Sequence, residues 1–231
     1  MAEMALLLMS DYLDTYSGRD KMLKTFSYMA KLFTVCTSSK STEKKLKTFG
    51  SQMSECRVML RLLDDLPTFH YIMTYGWGKQ EPDWLIRWTQ VIQNIIDIIY
   101  SPIEHIAWAG QHNIVSINID KWNLATTWFW IISLHLSLLQ SLRVLHKLQK
   151  YKIKLEGSNS NMQIIFKDIN KKQRSALLAC TCAILDITYA ISYLPPGLLW
   201  GGRLKIWHIG ALGTISSLIG LYQSFSSRLK N

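Results

Sequence analysis

The sequence predicts an all-α fold: a helical membrane protein with an amphipathic helical region at its N-terminal end and transmembrane helices toward its C-terminal end. Three observations carry this. Apolar residues recur at helical spacing through the first half, and two later stretches, 122–142 and 206–225, contain no Asp, Glu, Lys or Arg. Charge is also scarce, at 18% of the 231 residues, while nine Trp and ten Tyr supply a heavy aromatic load. An ordinary soluble domain carries about 25% charged residues, and amphipathic rings settle at headgroup level in a bilayer.

The net charge of +10 is unevenly placed. Residues 1–121 hold thirteen Lys/Arg against thirteen Asp/Glu, whereas 122–231 hold another thirteen Lys/Arg opposed only by Glu156, Asp168 and Asp186. A duplex-binding face needs basic residues clustered on a water-exposed fold. Here the excess sits between apolar runs, so no nucleic-acid partner is expected. Anionic lipid headgroups are the expected counter-charge, at roughly 1 kcal/mol per Lys or Arg near the surface.

Residues 1–121 read as a cytosolic or interfacial amphipathic region. Within it, the segment 18–36 places Met22, Phe26, Met29 and Phe33 at spacings of four, three and four, with Leu23, Ala30 and Leu32 widening the face. Arg19, Lys21, Lys24 and Lys31 lie opposite, with only Asp20 against them. Such a helix either lies in a bilayer interface or packs in a bundle, and periodicity does not separate the two. The segment 42–66 carries a narrow seam of Leu46, Phe49, Met53, Cys56, Leu60 and Leu63, the stripe of a helix that meets another helix. Pro67 is expected to end it. The run Tyr75-Gly-Trp-Gly-Lys-Gln-Glu-Pro-Asp is a turn by composition and lacks the Lys-Ser/Thr ending of a phosphate loop.

A third helix is expected over 83–108, with Trp84, Trp88, Val91, Ile95 and Ile98 on one side and Pro102 as a kink or interruption. Asp97 and Glu104 are seven apart and share a face. No nucleophile or metal ligand accompanies them, and they read as solvated carboxylates rather than an acid/base pair.

The two uncharged stretches, 122–142 and 206–225, are each long enough to cross about 30 Å of hydrocarbon. Lys121, Trp122 and Arg143 flank the first; Lys205, Trp207, Tyr222 and Arg228 flank the second, as membrane anchors do. The second also carries Gly210, Gly213, Thr214, Ser216, Ser217 and Gly220, a small-residue surface suited to close helix contact in lipid. Between the spans, 143–175 reads as a flexible basic loop, with nine Lys/Arg and two acids in 143–174. The segment 176–200 is apolar but holds Asp186 and a Pro195-Pro196-Gly197 break. A carboxylate in hydrocarbon costs at least about 2.5 kcal/mol, so this segment packs inside a bundle, spans with Asp186 paired, or lies at the interface.

Cys36, Cys56, Cys180 and Cys182 have no metal-ligand spacing with one another or with His and are expected as free thiols. No metal site, cofactor or catalytic residue is expected. A Gly-x-Ser-x-Gly element is absent, as is a phosphate loop, which argues against an enzyme.

Several elements in order resemble one family. Leu13-Asp-Thr-Tyr-Ser-Gly-Arg-Asp-Lys, Cys56-Arg-Val-Met-Leu-Arg-Leu-Leu-Asp-Asp, Trp108-Ala-Gly, Lys121-Trp122, and Asp186 followed by a Gly/Ser-rich final span are similar to the peroxin-eleven family of peroxisomal membrane proteins. The phrasing around Leu62-Leu-Asp-Asp-Leu-Pro and Tyr193-Leu-Pro-Pro-Gly-Leu-Leu-Trp is most similar to its gamma-type members. The resemblance implies a multi-pass peroxisomal membrane protein that promotes protrusion, elongation and proliferation of the organelle. Its N-terminal amphipathic helix would deform lipid: Met22, Leu23, Phe26, Met29 and Phe33 insert, while Arg19, Lys21, Lys24 and Lys31 hold headgroups.

The resemblance also implies self-association, contacts with other family members, and work alongside the dynamin-related fission machinery. Leu46, Phe49, Met53, Leu60 and Leu63, together with Gly210, Gly213 and Gly220, are the candidate contact residues. The family topology puts both termini in the cytosol and the basic 143–174 loop in the lumen, whereas the positive-inside rule puts that loop in the cytosol. An alternative function is an oligomeric channel for small metabolites, with Asp186 and His135 lining a polar path.

Overall fold

The computed structural model describes residues 2–156 and 163–228, and every regular element among them is helical. In order these are α1 (Ala2–Leu13), α2 (Tyr16–Phe33) with a 3-10 turn (Thr34–Cys36), α3 (Lys40–Leu62), α4 (Asp65–Tyr75), α5 (Trp84–Gln111), α6 (Ile119–Glu156), α7 (Gln163–Ile191) and α8 (Ile206–Arg228). They group into two compact units. One comprises Met1–Pro67 with Ile191–Asn231, and the other Thr68–Ala190.

The first unit is built on α2, with α3 and α8 packed against it. Thr15 starts α2: its hydroxyl accepts from the Gly18 amide at 3.2 Å and donates to the Tyr12 carbonyl at 2.8 Å. Gly18 is fixed by this entry, since a β-carbon there would collide with the Tyr12 carbonyl oxygen. Ser39 caps α3 in the same way. That helix stops at Leu62 rather than running to 66, and Pro67 does not terminate it. Pro67 instead lies in the first turn of α4, where a missing amide proton has no intrahelical acceptor to lose. The Gly76 and Gly78 turn follows, both residues at positive φ, as the composition predicts.

In the second unit α5 and α6 form an antiparallel pair. Asp83 caps α5 by accepting from the amides of Leu85 and Ile86. The helix continues unbroken past Pro102, which is exposed, so its ring displaces no packed neighbour. The expected interruption is absent.

The largest departure from expectation is the basic segment 143–175. Helix α6 carries on through Arg143 to Glu156, and α7 already begins at Gln163; residues 157–162 of the expected loop lie outside the described residues. Lys, Gln, Leu and His are all compatible with helix, and a high density of charge signals exposure, not irregular backbone. At 38 residues α6 is about 57 Å long, far longer than a bilayer core.

Two helical stretches are long and apolar enough to cross a membrane, Ile119–Leu155 and Ile165–Ile191. The uncharged 122–142 stretch lies in the first. The second takes in the Asp186 segment, which ends where a loop with Pro195-Pro196-Gly197 begins. The 206–225 stretch, expected as a span, forms α8, which is seated on α2 and is not one of these two stretches.

Candidate membrane-facing surface

On α2 the residues that pack inward are the small and polar ones. Gly18, Thr25, Ser27, Tyr28 and Ala30 are buried. Toward α3, the Ser27 hydroxyl donates to the Gly50 carbonyl at 2.9 Å and shares a 2.7 Å bond with the Ser54 hydroxyl. A β-carbon on Gly50 would press on the Ser27 carbonyl oxygen at 3.2 Å and the Ala30 methyl at 3.3 Å. The Arg57 guanidinium donates to both Asp20 oxygens, at 2.8 and 3.3 Å. These four ties hold the polar flank of α2 to α3.

Toward α8 the approach is closer. A β-carbon at Gly210 would run into the backbone of Lys31 and Leu32, and one at Gly213 into the Tyr28 ring. Each end of the junction is pinned by a lysine: Lys21 donates to the Ser224 hydroxyl at 2.5 Å, and Lys31 to the Tyr193 hydroxyl at 3.1 Å. The Lys31 ammonium also stands 5.0 Å from the Tyr28 ring centre, within cation–π range. The Tyr12 and Phe225 rings meet at 4.5 Å.

Both neighbours therefore occupy the polar flanks of α2, and its apolar stripe faces away from them. Phe26 and Phe33 are 43% and 46% exposed, against 1% for Ser27; Met22, Leu23 and Met29 are half-buried. The same inversion holds on α8, where Gly210, Gly213, Thr214, Ser216 and Ser217 are buried while Ile215, Leu218 and Tyr222 are exposed. A soluble bundle buries its large apolar side chains. Here small and polar side chains share the interior with Tyr12, Tyr28, Leu194 and Ile209, and small residues at helix contacts are what a lipid surround favours.

Of the expected insertion residues, Phe26 and Phe33 are exposed and Met22, Leu23 and Met29 half-buried. The headgroup-binding set divides: Arg19 is exposed and reaches the Asp14 carbonyl at 3.5 Å, Lys24 is half-buried, and Lys21 and Lys31 lean onto α8 and the segment before it. Of the contact residues, Gly210 and Gly213 are used inside this chain against α2, while Gly220 has open space around it. The bonds and close approach of α3 to α2 run through Gly50, Ser54 and Arg57; of the seam, Phe49 and Leu63 are exposed and Leu46, Met53 and Leu60 half-buried.

Near this junction Tyr16 has its phenol pushed up to about 12 by burial, reinforced by Asp20 and Asp64. Asp64 is itself raised, chiefly by burial and then by Asp65 and Asp20. These shifts mark packing and crowded carboxylates.

In the second unit, polar side chains share the buried face of α5 with Val91, Ile96 and Ala107. Thr89, Asn94 and Glu104 are buried along α5, while Trp84, Trp88, Ile92, Ile95, Ile98, Ile99 and Ile106 are exposed. The reading of Asp97 and Glu104 as solvated is corrected: Asp97 is half-buried and accepts from Gln93 at 2.7 Å, and buried Glu104 accepts from the Tyr100 hydroxyl at 2.6 Å. Ser133 donates to Gln93 at 3.0 Å, and Gln140 to Gln90 at 3.3 Å. At the N-terminal end of α5, buried Asp83 also receives Arg143 at 3.0 Å and Lys147 at 3.3 Å.

Burial alone would raise the Asp83 carboxyl. The Ile86 amide and the two cations hold it below its ordinary value. Sequence reasoning missed this triad because its partners lie sixty residues apart, although the Asp before a helix start was a visible signal.

His135 spends its Nδ1 on the Ile131 carbonyl at 2.8 Å, and Asp186 is half-buried on α7. The four cysteines are free thiols, and among the described residues no cluster of His, Cys, Asp and Glu could hold a metal ion.

Comparisons with known proteins identify the family. The profile of the family described as peroxisomal biogenesis factor 11 (PEX11) matches residues 6–225. The chain is 32% identical over 222 residues to human peroxisomal membrane protein 11C, covering 92% of this chain and 91% of the relative. It is likewise 32% identical over 235 aligned residues to the mouse protein of the same name, covering 96% and 95%. No solved structure matches.

Proposed function

The chain belongs to the peroxisomal biogenesis factor 11 family, and from that premise we propose that it acts in peroxisome proliferation by remodelling the organelle's membrane, without catalysing a reaction. The observation that carries this reading is the outward apolar stripe of α2, held in place by polar and small-residue contacts on its other flanks. Met22, Phe26, Met29 and Phe33 enter one leaflet as a wedge, Arg19 and Lys24 stay at headgroup level, and the inserted volume expands that leaflet and favours curvature. The junction with α3 and α8 makes the wedge rigid, because α2 cannot roll without breaking the Asp20–Arg57 and Lys21–Ser224 ties.

Self-association concentrates such wedges. The α3 seam, Leu46, Phe49, Met53, Leu60 and Leu63, is the surface for it, with Phe49 and Leu63 exposed and the other three half-buried. The dynamin-related fission machinery would act on the protrusions so formed.

The test is the double variant Phe26→Glu with Phe33→Glu in the full-length chain, reconstituted in vesicles rich in anionic lipid. Full burial of one Phe is worth about 1.5–3 kcal/mol, so tubule formation is expected to stop while the protein remains in the membrane through α6 and α7. Tubules formed as abundantly by the variant would overturn the wedge.

A further inference from the structure

We propose that α5 lies in the bilayer alongside α6, so that the two form a membrane-embedded hairpin whose outer surface, built on Ile92, Ile95, Ile98, Ile99 and Ile106, is a contact surface for lipid acyl chains. The pairing follows from three bonds in antiparallel order: Gln90 with Gln140, Gln93 with Ser133, and Gln111 with Asn123. The uncharged length of α6, residues 122–142, is therefore flanked by α5 from about Gln90 to Gln111. That stretch of α5 is about 33 Å long, matching a hydrocarbon core of about 30 Å. A helix bonded along the whole span of a crossing helix crosses with it.

The polarity of α5 fits this location and explains why composition hides it. Between Gln90 and Gln111 the titratable acidic and basic residues are Asp97, Glu104 and His105, the last with its Nδ1 on the Ser101 carbonyl at 2.8 Å. Asp97 is bonded to Gln93, and Glu104 is buried against Tyr100. With Gln90, Gln93 and Asn94 they form an inward polar stripe bonded largely within itself or to α6, with the Asn94 amide nitrogen buried and unbonded, and the five isoleucines lie outside. Trp84, Trp88 and Arg87 stand at the Asp83 end, where a headgroup region favours aromatic rings and cations.

The hairpin also fixes sidedness. The start of α5 at Asp83 is bonded to Arg143 and Lys147, so it shares one side of the membrane with the basic half of α6. The connection 112–118 is then on the other side. By the positive-inside rule the shared side is the cytosol, which takes the basic region 143–174 out of the lumen, where the family topology would put it.

The experiment uses the full chain in organelles whose membrane is left sealed, with the four native cysteines replaced by alanine and one reporter at a time: Lys79→Cys, Ser116→Cys or Lys150→Cys. A membrane-impermeant maleimide is added outside, before and after the organelle membrane is opened. The proposal expects Lys79→Cys and Lys150→Cys to share one labelling state and Ser116→Cys to take the other, with a difference of at least about tenfold. Ser116→Cys labelling together with Lys79→Cys, or Lys150→Cys parting from Lys79→Cys, overturns it. In the native-cysteine chain, a protease site placed at residue 116 must be cut from the side opposite one placed at residue 79; cutting of both from one side overturns it equally.

Discussion

The α2–α8 junction and the α5–α6 junction solve the same problem by opposite means. Each places polar or small residues at the contact and leaves many large apolar ones outward, although Val91, Ile96 and Ile131 are buried in the second unit and Ile209 in the first. At α2–α8 the helices meet through missing side chains: Gly210 and Gly213 let backbone and ring approach until a single β-carbon would not fit. At α5–α6 the space between helices is filled by long amides, Gln90, Gln93 and Gln140, reaching across to one another and to Ser133. The lesson concerns tolerance. Close approach concentrates its stability in one or two positions, whereas an amide ladder spreads it over several bonds of which none is indispensable.

Breaking the first junction should therefore have the largest effect. Gly210→Val drives two methyl groups toward the Leu32 backbone, and overpacking of this kind costs about 1–3 kcal/mol, occasionally more. Thermal unfolding of the reconstituted chain should shift down by several degrees, with loss of tubule formation because α2 is no longer held. Gly220→Val, in open space, is the control and should change neither. The second junction should resist single changes: interhelical hydrogen bonds in a membrane average about 0.6 kcal/mol. Gln90→Leu with Gln93→Leu should cost roughly 1 kcal/mol, read in the same melt.

Smaller still is the Asp20–Arg57 pair, whose side chains are partly exposed. Asp20→Asn should destabilise by less than about 1 kcal/mol, while making the wedge less efficient in vesicle tubulation assays. The smallest effect near neutrality is that of acid on Asp83. Its carboxyl is held below its ordinary value by Ile86, Arg143 and Lys147 against the opposing effect of burial. Its contribution is complete at neutral pH, fades as the pH falls through the ordinary carboxylate value of about 4, and is gone below the depressed folded value. The melting temperature of Asp83→Asn should thus be lower than that of the parent at pH 7 and converge with it in strong acid.

Much of the fold was legible before any coordinates. The helical class, the α2 stripe, the turn at Gly76 and Gly78 and the uncharged length in α6 follow from periodicity and composition, which are local properties. The direction of the α2 stripe was not legible, because the same period serves a buried and a lipid-facing helix. Which neighbour the glycines of α8 would meet was also hidden: a small-residue surface announces contact but names no partner, and here the partner is α2. The basic segment reads as a loop from its charge, yet its described residues, 143–156 and 163–175, are helical, because Lys and Gln continue a helix readily. Asp97 and Glu104 read as solvated, since a carboxylate pair on a helix usually is; their partners on the same helix, Gln93 and Tyr100, sit at the i−4 position.

The central claim is that the apolar stripe of α2 contacts lipid while its polar flanks are held by α3 and α8. It is tested most directly by placing a fluorophore at Phe26→Cys or Phe33→Cys in the full-length chain and comparing quenching by nitroxides on lipid acyl chains with quenching by an aqueous ion. The account predicts strong quenching from the acyl chains and protection from the ion at both positions. Free access of the aqueous ion together with no quenching from the lipid would place the stripe in water and contradict it.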